Sequence, residues 1–125
     1  MRLLLDTVTF IWAAKSPNRL SRRARSVMDT PALLEISSIS IAEIAIKQVR
    51  NKLDFSSDDV ATTIEDLHLR ALPYTANHAF SFFQIPLHHT DPFDRMLIAQ
   101  ALSEKIPVVT CDEKFEMYRG LKVIW

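Results

Sequence analysis

The sequence predicts an α/β fold, with amphipathic helices packed around a central and mostly parallel β-sheet. Short apolar runs alternate along the chain with longer segments whose apolar residues recur at helical spacing, which is the pattern of strands alternating with helices. The length of 125 residues and the apolar fraction of 48% fit one domain with a sizeable core. No internal repeat or long linker divides the chain, so we expect residues 1–125 to form a single domain.

The first half of the chain predicts two strands and four helices. The apolar run before Asp6 is typical of a buried strand, Thr7 can cap the helix that follows, and Pro17 breaks the chain before a basic helix. Ser40 is expected to begin the helix after the second apolar run. The expected order is strand 2–5, helix 7–14, helix 22–28, strand 32–36, helix 40–51 and helix 57–69.

The second half predicts shorter strands and two helices. Pro73 and Pro86 favour extended or loop backbone, and Asp91 followed by Pro92 is a typical helix start. The expected order is strand 72–74, helix 76–83, loop 86–90, helix 93–104, strand 107–110, a short helical turn around Phe115 and strand 122–124. Together with the first half, these segments give a sheet of four to five strands.

Composition excludes several classes of protein and of site. Lys and Arg (15) balance Asp and Glu (15), so the chain lacks the net positive charge typical of many nucleic-acid binders. Gly120 is the only glycine, which excludes the glycine-rich loops that cradle phosphates, and Cys111 is the only cysteine, which excludes an internal disulfide. No apolar run approaches the roughly 20 residues that span a bilayer, and no signal peptide is evident. We therefore expect a soluble cytoplasmic protein without a membrane partner.

Four carboxylates from separate segments are expected at one edge of the predicted sheet. Asp6 and Asp112 follow the first strand and strand 107–110, while Glu43 and Asp94 are expected in the first turns of helices that follow strands or loops. In open parallel sheets, ligands bind beyond the carboxyl ends of the strands, where loops and helix N-termini meet. The sequence therefore predicts an acidic site at this edge.

Each of these acids also has a structural interpretation as a helix cap. The spacing of Ser40 and Glu43 has the form of a capping box, Asp91 and Asp94 suit a helix start, and Asp6 and Asp112 could accept from the amides that follow them. Caps alone do not explain why all the acids share one edge, because gathered carboxylates repel one another unless a cation or shared protons compensate.

The compensating ion that suits carboxylates is a hard divalent cation, Mg²⁺ or Mn²⁺. His88 and His89 are close to Asp91 in sequence and could suggest zinc. Adjacent histidines usually point in different directions, and no matching pair of Cys or His residues occurs elsewhere, so zinc is disfavoured.

The sequence resembles the PIN-domain ribonucleases, and more narrowly the VapC-type toxins of prokaryotic type II toxin–antitoxin pairs. The resemblance extends over essentially the whole chain and is carried by LLDT at 4–7, SISIAEI at 38–44, HTDPFDRMLIAQA at 89–101, VTCD at 109–112 and residues 115–118. It implies a PIN-like α/β/α sandwich and a Mg²⁺- or Mn²⁺-dependent endoribonuclease. It also implies a homodimer silenced by a cognate antitoxin protein, whose helical tail binds across or near the acidic groove. The RNA substrate, whether tRNA, rRNA or mRNA, is left open.

The resemblance also assigns roles to individual residues. It implies that Asp6 and Asp94 are direct metal ligands, that Glu43 and Asp112 bind a second ion or position water, and that the hydroxyl of Thr110 supports the site through hydrogen bonds. Asp91 is expected to be a structural cap instead. Cys111, between Thr110 and Asp112, is a departure from the family pattern, and we expect it to be a small buried side chain.

The sequence leaves open the roles of several basic and aromatic residues outside the acidic set. The cluster Arg19, Arg22, Arg23 and Arg25 could contact RNA phosphates or an acidic partner segment, or form a solvated helix face. Arg95 could pair with Asp91 or meet a phosphate, and Lys47 could pair with Glu43 four residues earlier or face the substrate. The larger aromatics are expected in the core or an interface: Trp12, Phe80, Phe82, Phe83 and Trp125.

Two other functions fit parts of the pattern. A phosphoryl-transfer or response-regulator-like domain would use Asp6 as a phosphorylated nucleophile, but Asp6-Thr7-Val8 lacks the second aspartate expected of aspartyl phosphatases. A non-catalytic binding module would use the acids only as helix caps. Metal binding discriminates between that module and the nuclease.

Overall fold

The computed structural model describes residues 1–30 and 32–125, so Pro31 lies outside the described residues. The strands are β1 (Arg2–Leu5), β2 (Leu33–Ser37), β3 (Arg70–Leu72), β4 (Val108–Val109) and β5 (Val123–Ile124). The helices are α1 (Thr7–Lys15), α2 (Arg22–Met28), α3 (Ser38–Val49), α4 (Ser57–Asp66), α5 (Ala76–Ser81) and α6 (Pro92–Glu104). Short 3₁₀ turns follow at Pro17–Arg19, Phe82–Gln84 and Glu113–Met117.

The five strands form one parallel sheet in the order β3-β2-β1-β4-β5, which confirms the predicted α/β fold class. β1 is the central strand, and Leu4 pairs with Glu35 of β2 on one side and with Val108 of β4 on the other. β2 and β3 are added on one side of β1, and the chain then crosses over to add β4 and β5 on the other side. The direction in which strands are added therefore reverses at β1. Ligand sites of open parallel sheets lie at such a reversal, beyond the carboxyl ends of the strands.

The core lies on both faces of this sheet. Side chains alternate along a strand, so Leu3 and Leu5 face one side and Leu4 faces the other. Leu3 and Leu5 belong to a buried cluster with Ala24 of α2, whereas Leu4 belongs to a second cluster with Leu97 of α6. Helices therefore cover both faces, and the fold is an α/β/α sandwich. No helix in residues 1–30 and 32–125 combines the length and apolarity needed to cross a membrane.

A buried carboxylate ties the first three strands together within the sheet. Glu35 is fully buried, and its two oxygens accept from the guanidinium groups of Arg2 on β1 and Arg70 on β3. Arg2 also donates to Glu104 at the end of α6, and Glu104 in turn contacts His78 of α5. The charge of Glu35 is thus matched by two cations that remain partly exposed.

Several helix starts differ from those predicted. Asp6, not Thr7, caps α1 by accepting from the Thr9 amide, and Ser37, not Ser40, caps α3. The predicted capping box of Ser40 and Glu43 is therefore wrong, because α3 begins earlier and both residues lie inside the helix. Strand β3 lies at Arg70–Leu72 rather than 72–74, and α4 ends before His68, which adopts a left-handed φ of 53°.

Candidate acidic site

Five carboxylates lie close together at the carboxyl edge of the sheet. Asp6 follows β1, Asp112 follows β4 after two residues, Asp91 and Asp94 begin α6, and Glu43 projects from the second turn of α3. The pKa of Asp94 is raised to about 8 by burial and by the nearby charges of the other four acids. The structure therefore brings together all four acids of the predicted quartet.

Asp6 is the most deeply buried member of the set. Its side chain is buried, Oδ1 accepts from the Thr9 amide at 2.8 Å and Oδ2 accepts from the Thr110 hydroxyl at 2.6 Å. Burial raises the pKa of Asp6, against the hydrogen bonds from Thr110 and Thr9, and Asp112 raises it further. The hydroxyl of Thr110 also accepts from the Asp112 amide at 3.0 Å, so one side chain orients two of the acidic segments.

Glu43 has one paired oxygen and one free oxygen. Its Oε2 accepts from Lys47 Nζ at 2.8 Å, while Oε1 is buried without a hydrogen-bond partner among the described residues. The pKa of Lys47 is raised by this hydrogen bond, and Asp91 and Asp94 add to the effect. The predicted helical ion pair of Lys47 with Glu43 is confirmed, and it lies beside the other site carboxylates.

Asp91 caps α6, as predicted. Its Oδ1 accepts from the amides of Phe93 at 2.8 Å and Asp94 at 3.1 Å. This leaves the side chain of Asp94, whose Oδ2 lies 3.2 Å from Nε2 of His89, as the α6 carboxylate that is not used in capping. Asp112 caps the 3₁₀ turn through Oδ1, which accepts from the Lys114 amide at 2.9 Å.

His89 is a member of the site that the sequence did not predict. It is buried, and its Nε2 lies 2.7 Å from Oδ2 of Asp112. Ligand-type atoms of His89, Asp94 and Asp112 all lie within 4.8 Å of one another. His88 points elsewhere and packs edge-on against Tyr118, with ring centroids 5.0 Å apart. The only local sign that a histidine joins the site was its closeness in sequence to the helix cap Asp91, and that did not distinguish His89 from His88.

This set of donors fits a hard divalent cation. Carboxylate oxygens dominate it, and they suit Mg²⁺ or Mn²⁺ better than zinc. Oε1 of Glu43 has no hydrogen-bond partner among the described residues, and the pKa of Asp94 is raised because its surroundings disfavour a further negative charge; a cation would relieve both. Asp6, Glu43, Asp94 and Asp112 are the residues that could hold such an ion.

Cys111 is exposed, so the expectation of a small buried side chain is wrong. Thr110 is buried and its hydroxyl contacts Asp6, whereas the side chain of the next residue, Cys111, is exposed. The pKa of Cys111 is raised by partial burial and by Asp6 and Asp112, whereas Arg19 lowers it. Arg19 therefore lies near this rim of the acidic site.

The basic residues divide into a solvent-facing set and one that is held by packing. Arg22, Arg23 and Arg25 are exposed on α2. Arg95 has no ion pair with Asp91 in the described part of the chain. Its guanidinium lies 4.8 Å from the centroid of the Phe82 ring, and it donates to the Ile85 carbonyl at 3.4 Å.

The aromatic residues also divide into two sets. Trp12 and Trp125 pack together with ring centroids 6.0 Å apart and contact the buried cluster of α2, as predicted for core residues. Phe80 and Phe83 are 69% and 85% exposed, so neither belongs to the core. Their rings are stacked at a centroid distance of 6.5 Å on the surface of the α5 segment.

Comparison with known proteins identifies a family and several structures of similar fold. The family model for the PIN domain matches residues 3–121. The chain is similar to VapBC2 from Rickettsia felis bound to a DNA fragment from their promoter, with 15% identity over 98% of this chain and 97% of that one and a TM-score of 0.73. It is also similar to DNA-bound VapBC from Salmonella typhimurium, with 22% identity, 98% and 96% coverage and a TM-score of 0.71. A comparison with curated proteins returned no match.

Proposed function

Because this chain belongs to the PIN domain family, we propose that it is a divalent-metal-dependent endoribonuclease and the toxin of a type II toxin–antitoxin pair. The observation that carries the proposal is the convergence of Asp6, Glu43, Asp94 and Asp112 at one edge of the sheet, where burial and the neighbouring carboxylates raise the pKa of Asp94 to about 8. Helix capping accounts for Asp91 and for one oxygen each of Asp6 and Asp112, but not for Asp94 or Glu43. A purely structural set of caps would not need those two acids at the same place.

Asp6, Glu43, Asp94 and Asp112 would hold Mg²⁺ or Mn²⁺. Such an ion, when bound, lowers the pKa of water and neutralises charge on a scissile phosphate. Thr110 fixes the carboxylate of Asp6 and the backbone of Asp112, so these two acids are set in place before any ligand arrives. Hydrolysis by water does not use the 2′-hydroxyl of RNA, so the products would carry 5′-phosphate and 3′-hydroxyl ends.

The test compares wild-type protein with Asp94→Asn on purified cellular RNA. Cleavage is expected with Mg²⁺ or Mn²⁺, and it should be abolished by EDTA and by the substitution. Asp58→Asn makes the same chemical change at an exposed position of α4 and should cleave like wild type. Equal cleavage by the Asp94 variant, or 2′,3′-cyclic phosphate ends, would reject the proposed chemistry.

The exposed arginines of α2, Arg22, Arg23 and Arg25, would contact RNA phosphates. Phosphate contacts release counterions, so each one lost makes the binding constant less dependent on salt. Replacing Arg22 and Arg23 by Gln should weaken RNA binding and flatten its salt dependence, measured by fluorescence anisotropy. A double control at Arg50 and Arg119, which are also exposed, should change neither quantity if the contact is local to α2.

Arg95 is assigned a smaller part in RNA binding. Its contacts with Phe82 and Ile85 hold its guanidinium by packing, so it would meet RNA only at the edge of the site. Arg95→Lys keeps the charge and loses the planar stacking group. If RNA binding is unchanged in that variant, the stacking contact serves packing and not the substrate.

The toxin role predicts a cognate antitoxin, a homodimer and a cytoplasmic site of action. The structural relatives named above are VapBC assemblies, which supports looking for a small partner protein of this chain. Expression without that partner should arrest growth, and Asp94→Asn should relieve the arrest. Light scattering of the isolated protein measures whether it is a dimer. Normal growth on expression of active wild-type protein would separate the nuclease from the toxin role.

A further inference from the structure

His89 stands between the two chain segments that carry Asp94 and Asp112. Its side chain is 8% exposed, and its Nε2 lies 2.7 Å from Oδ2 of Asp112 and 3.2 Å from Oδ2 of Asp94. At first sight these three residues form a metal-binding triad. Nε2 can bind a metal only if it carries no hydrogen, and otherwise it donates a hydrogen bond. The contact made by the other ring nitrogen, Nδ1, decides which of the two applies.

The backbone of Asp91 fixes the tautomer of this ring. Its amide donates to Nδ1 of His89 at 3.1 Å. A backbone N–H is only a donor, so Nδ1 uses its lone pair in this bond and carries no hydrogen. The neutral imidazole then has its hydrogen on Nε2, directed at Asp112, and no lone pair on that atom remains for a metal.

The position of the ring is fixed independently of the acids. The Tyr118 hydroxyl accepts from the backbone amides of His88 and His89 at 3.2 and 2.9 Å, and Tyr118 is buried. The ring of His89 also packs at right angles to Phe115, with centroids 6.0 Å apart. Phe115 lies in the 3₁₀ turn that Asp112 caps, and Tyr118 directly follows that turn. His89 therefore packs against the same chain segment whose cap carboxylate it contacts.

We infer that His89 is a positioning residue: its Nε2–H holds Asp112 beside Asp94, and the imidazole is not itself a metal ligand. This inference rests on the proposed function and specifies how its site is built. Hydrogen bonds from a ligand's neighbours orient that ligand, and their loss weakens metal binding by about 10- to 100-fold. The carboxylate of Asp112 is held in this way through both oxygens, by His89 on Oδ2 and by the Lys114 amide on Oδ1.

The first measurement is the tautomer itself, by ¹⁵N NMR of the histidine rings at fixed pH. Metal-free wild type should show a protonated Nε2 and an unprotonated Nδ1 for His89, and addition of Mg²⁺ should leave this pattern unchanged. A hydrogen on Nδ1, or its transfer there when Mg²⁺ binds, would make Nε2 the ligand atom and overturn the inference. This readout does not depend on RNA cleavage.

The second measurement is the affinity for Mn²⁺, by calorimetry on three variants. His89→Gln places an amide N–H₂ near the position of Nε2 and should bind within about threefold of wild type, whereas His89→Asn is too short and should lose about 10- to 100-fold. His88→Gln is the matched control and should bind like wild type. Equal losses in the Gln and Asn variants would indicate a lost ligand and overturn the inference.

The two proposals fail in distinguishable ways. Protein that binds Mn²⁺ with the expected pattern but leaves RNA intact would reject the nuclease and keep the role of His89. Protein that cleaves RNA equally well with Asn or Gln at position 89, with unchanged Mn²⁺ affinity, would keep the nuclease and reject the role of His89. Wild type that binds no divalent metal would reject both. Thermal melts of each metal-free variant show whether an effect on affinity comes only from unfolding.

Discussion

The hydroxyl of Thr110 lies 2.6 Å from Oδ2 of Asp6, although 104 residues separate them in the sequence. The bond joins the residue after β4 to the residue after β1, the two neighbouring strands at the centre of the sheet. It also lowers the pKa of Asp6 against the effect of burial, so it keeps this carboxylate closer to the charged form.

Replacing Thr110 by Val should therefore damage both stability and metal binding. The valine is close in shape, but it leaves Oδ2 of Asp6 without its donor and the Asp112 amide without its acceptor. A lost buried hydrogen bond of this kind costs roughly 1–3 kcal/mol of unfolding free energy. Urea unfolding and Mn²⁺ calorimetry measure the two effects. Thr110→Ser keeps the hydroxyl and should recover most of both, and a Val variant that equals wild type would contradict the assignment.

The pKa of Asp94, at about 8, makes the stability of the metal-free protein depend on pH. The folded state keeps a proton that the unfolded chain releases near pH 4, so this group's stabilisation is full below about pH 4 and is lost as pH rises through about 8. The free energy of unfolding should fall with rising pH across this window, by at most about 1.4 kcal/mol per pH unit from this group.

Urea unfolding at several pH values between about 5 and 8.5, in the presence of EDTA, measures this dependence. Asp94→Asn cannot titrate, so its stability relative to wild type should improve as pH rises. Parallel pH profiles for wild type and variant would show that the pKa of Asp94 is not raised. The same raised pKa predicts that Mg²⁺ binding releases a proton at neutral pH, which calorimetry in buffers of different ionisation enthalpy detects.

Lys47 should oppose the binding of a divalent cation. Its ammonium pairs with Glu43 and is influenced by Asp91 and Asp94, so its charge lies beside the acids that would hold the ion. Lys47→Met keeps the aliphatic stem and removes the charge, and we expect Mn²⁺ affinity to rise by about two- to tenfold. Lys52→Met, at an exposed lysine with no ion pair among the described residues, is the control. A weaker affinity would mean that Lys47 holds Glu43 in place more than it repels the ion.

The buried carboxylate of Glu35 should be important for stability and not for metal binding. Glu35→Gln leaves Arg2 and Arg70 without their shared anion, and breaking a buried ion pair costs about 3–5 kcal/mol, less here because both arginines are partly exposed. Urea unfolding should show a clear loss in the free energy of unfolding, whereas the Mn²⁺ affinity of the folded protein should be unchanged. Glu65→Gln, at an exposed site on α4, is the control and should leave the free energy of unfolding unchanged. If Glu35→Gln is as stable as wild type, the strands are held by packing alone.

The order of strands and helices and the place of the acids could be predicted from the sequence. Apolar runs such as residues 2–5 identify strands, and a strand followed by a helix places the intervening acid at the carboxyl edge of a parallel sheet. This pattern alone was enough to predict that Asp6 and Asp112 lie at that edge. Their convergence depends on topology, and the alternation of strands with helices is a strong indicator of topology.

Caps and loop geometry could not be predicted in the same way. Ser37 and Ser40 are both suitable helix caps, and only the end of β2 decides that Ser37 is used. Because α3 begins at Ser38, the Ser40 hydroxyl accepts from the Thr7 hydroxyl on α1 instead of capping a free amide. His89 depends on Tyr118 and on Asp112, which lies 23 residues further along the chain, and no periodicity reports such contacts.

The pairing of β1 with β4 has a consequence for the order in which the protein is made. β1 is synthesised before the other four described strands, yet its neighbour β4 and the acid that follows β4 are separated from it by about a hundred residues of chain. A ribosome that has not yet released residue 112 holds a polypeptide with at most three of the four quartet acids, and Asp6 still lacks its bond from Thr110. The acidic centre therefore cannot form before residue 112 has emerged, and products of this chain that end before Asp112 cannot contain it.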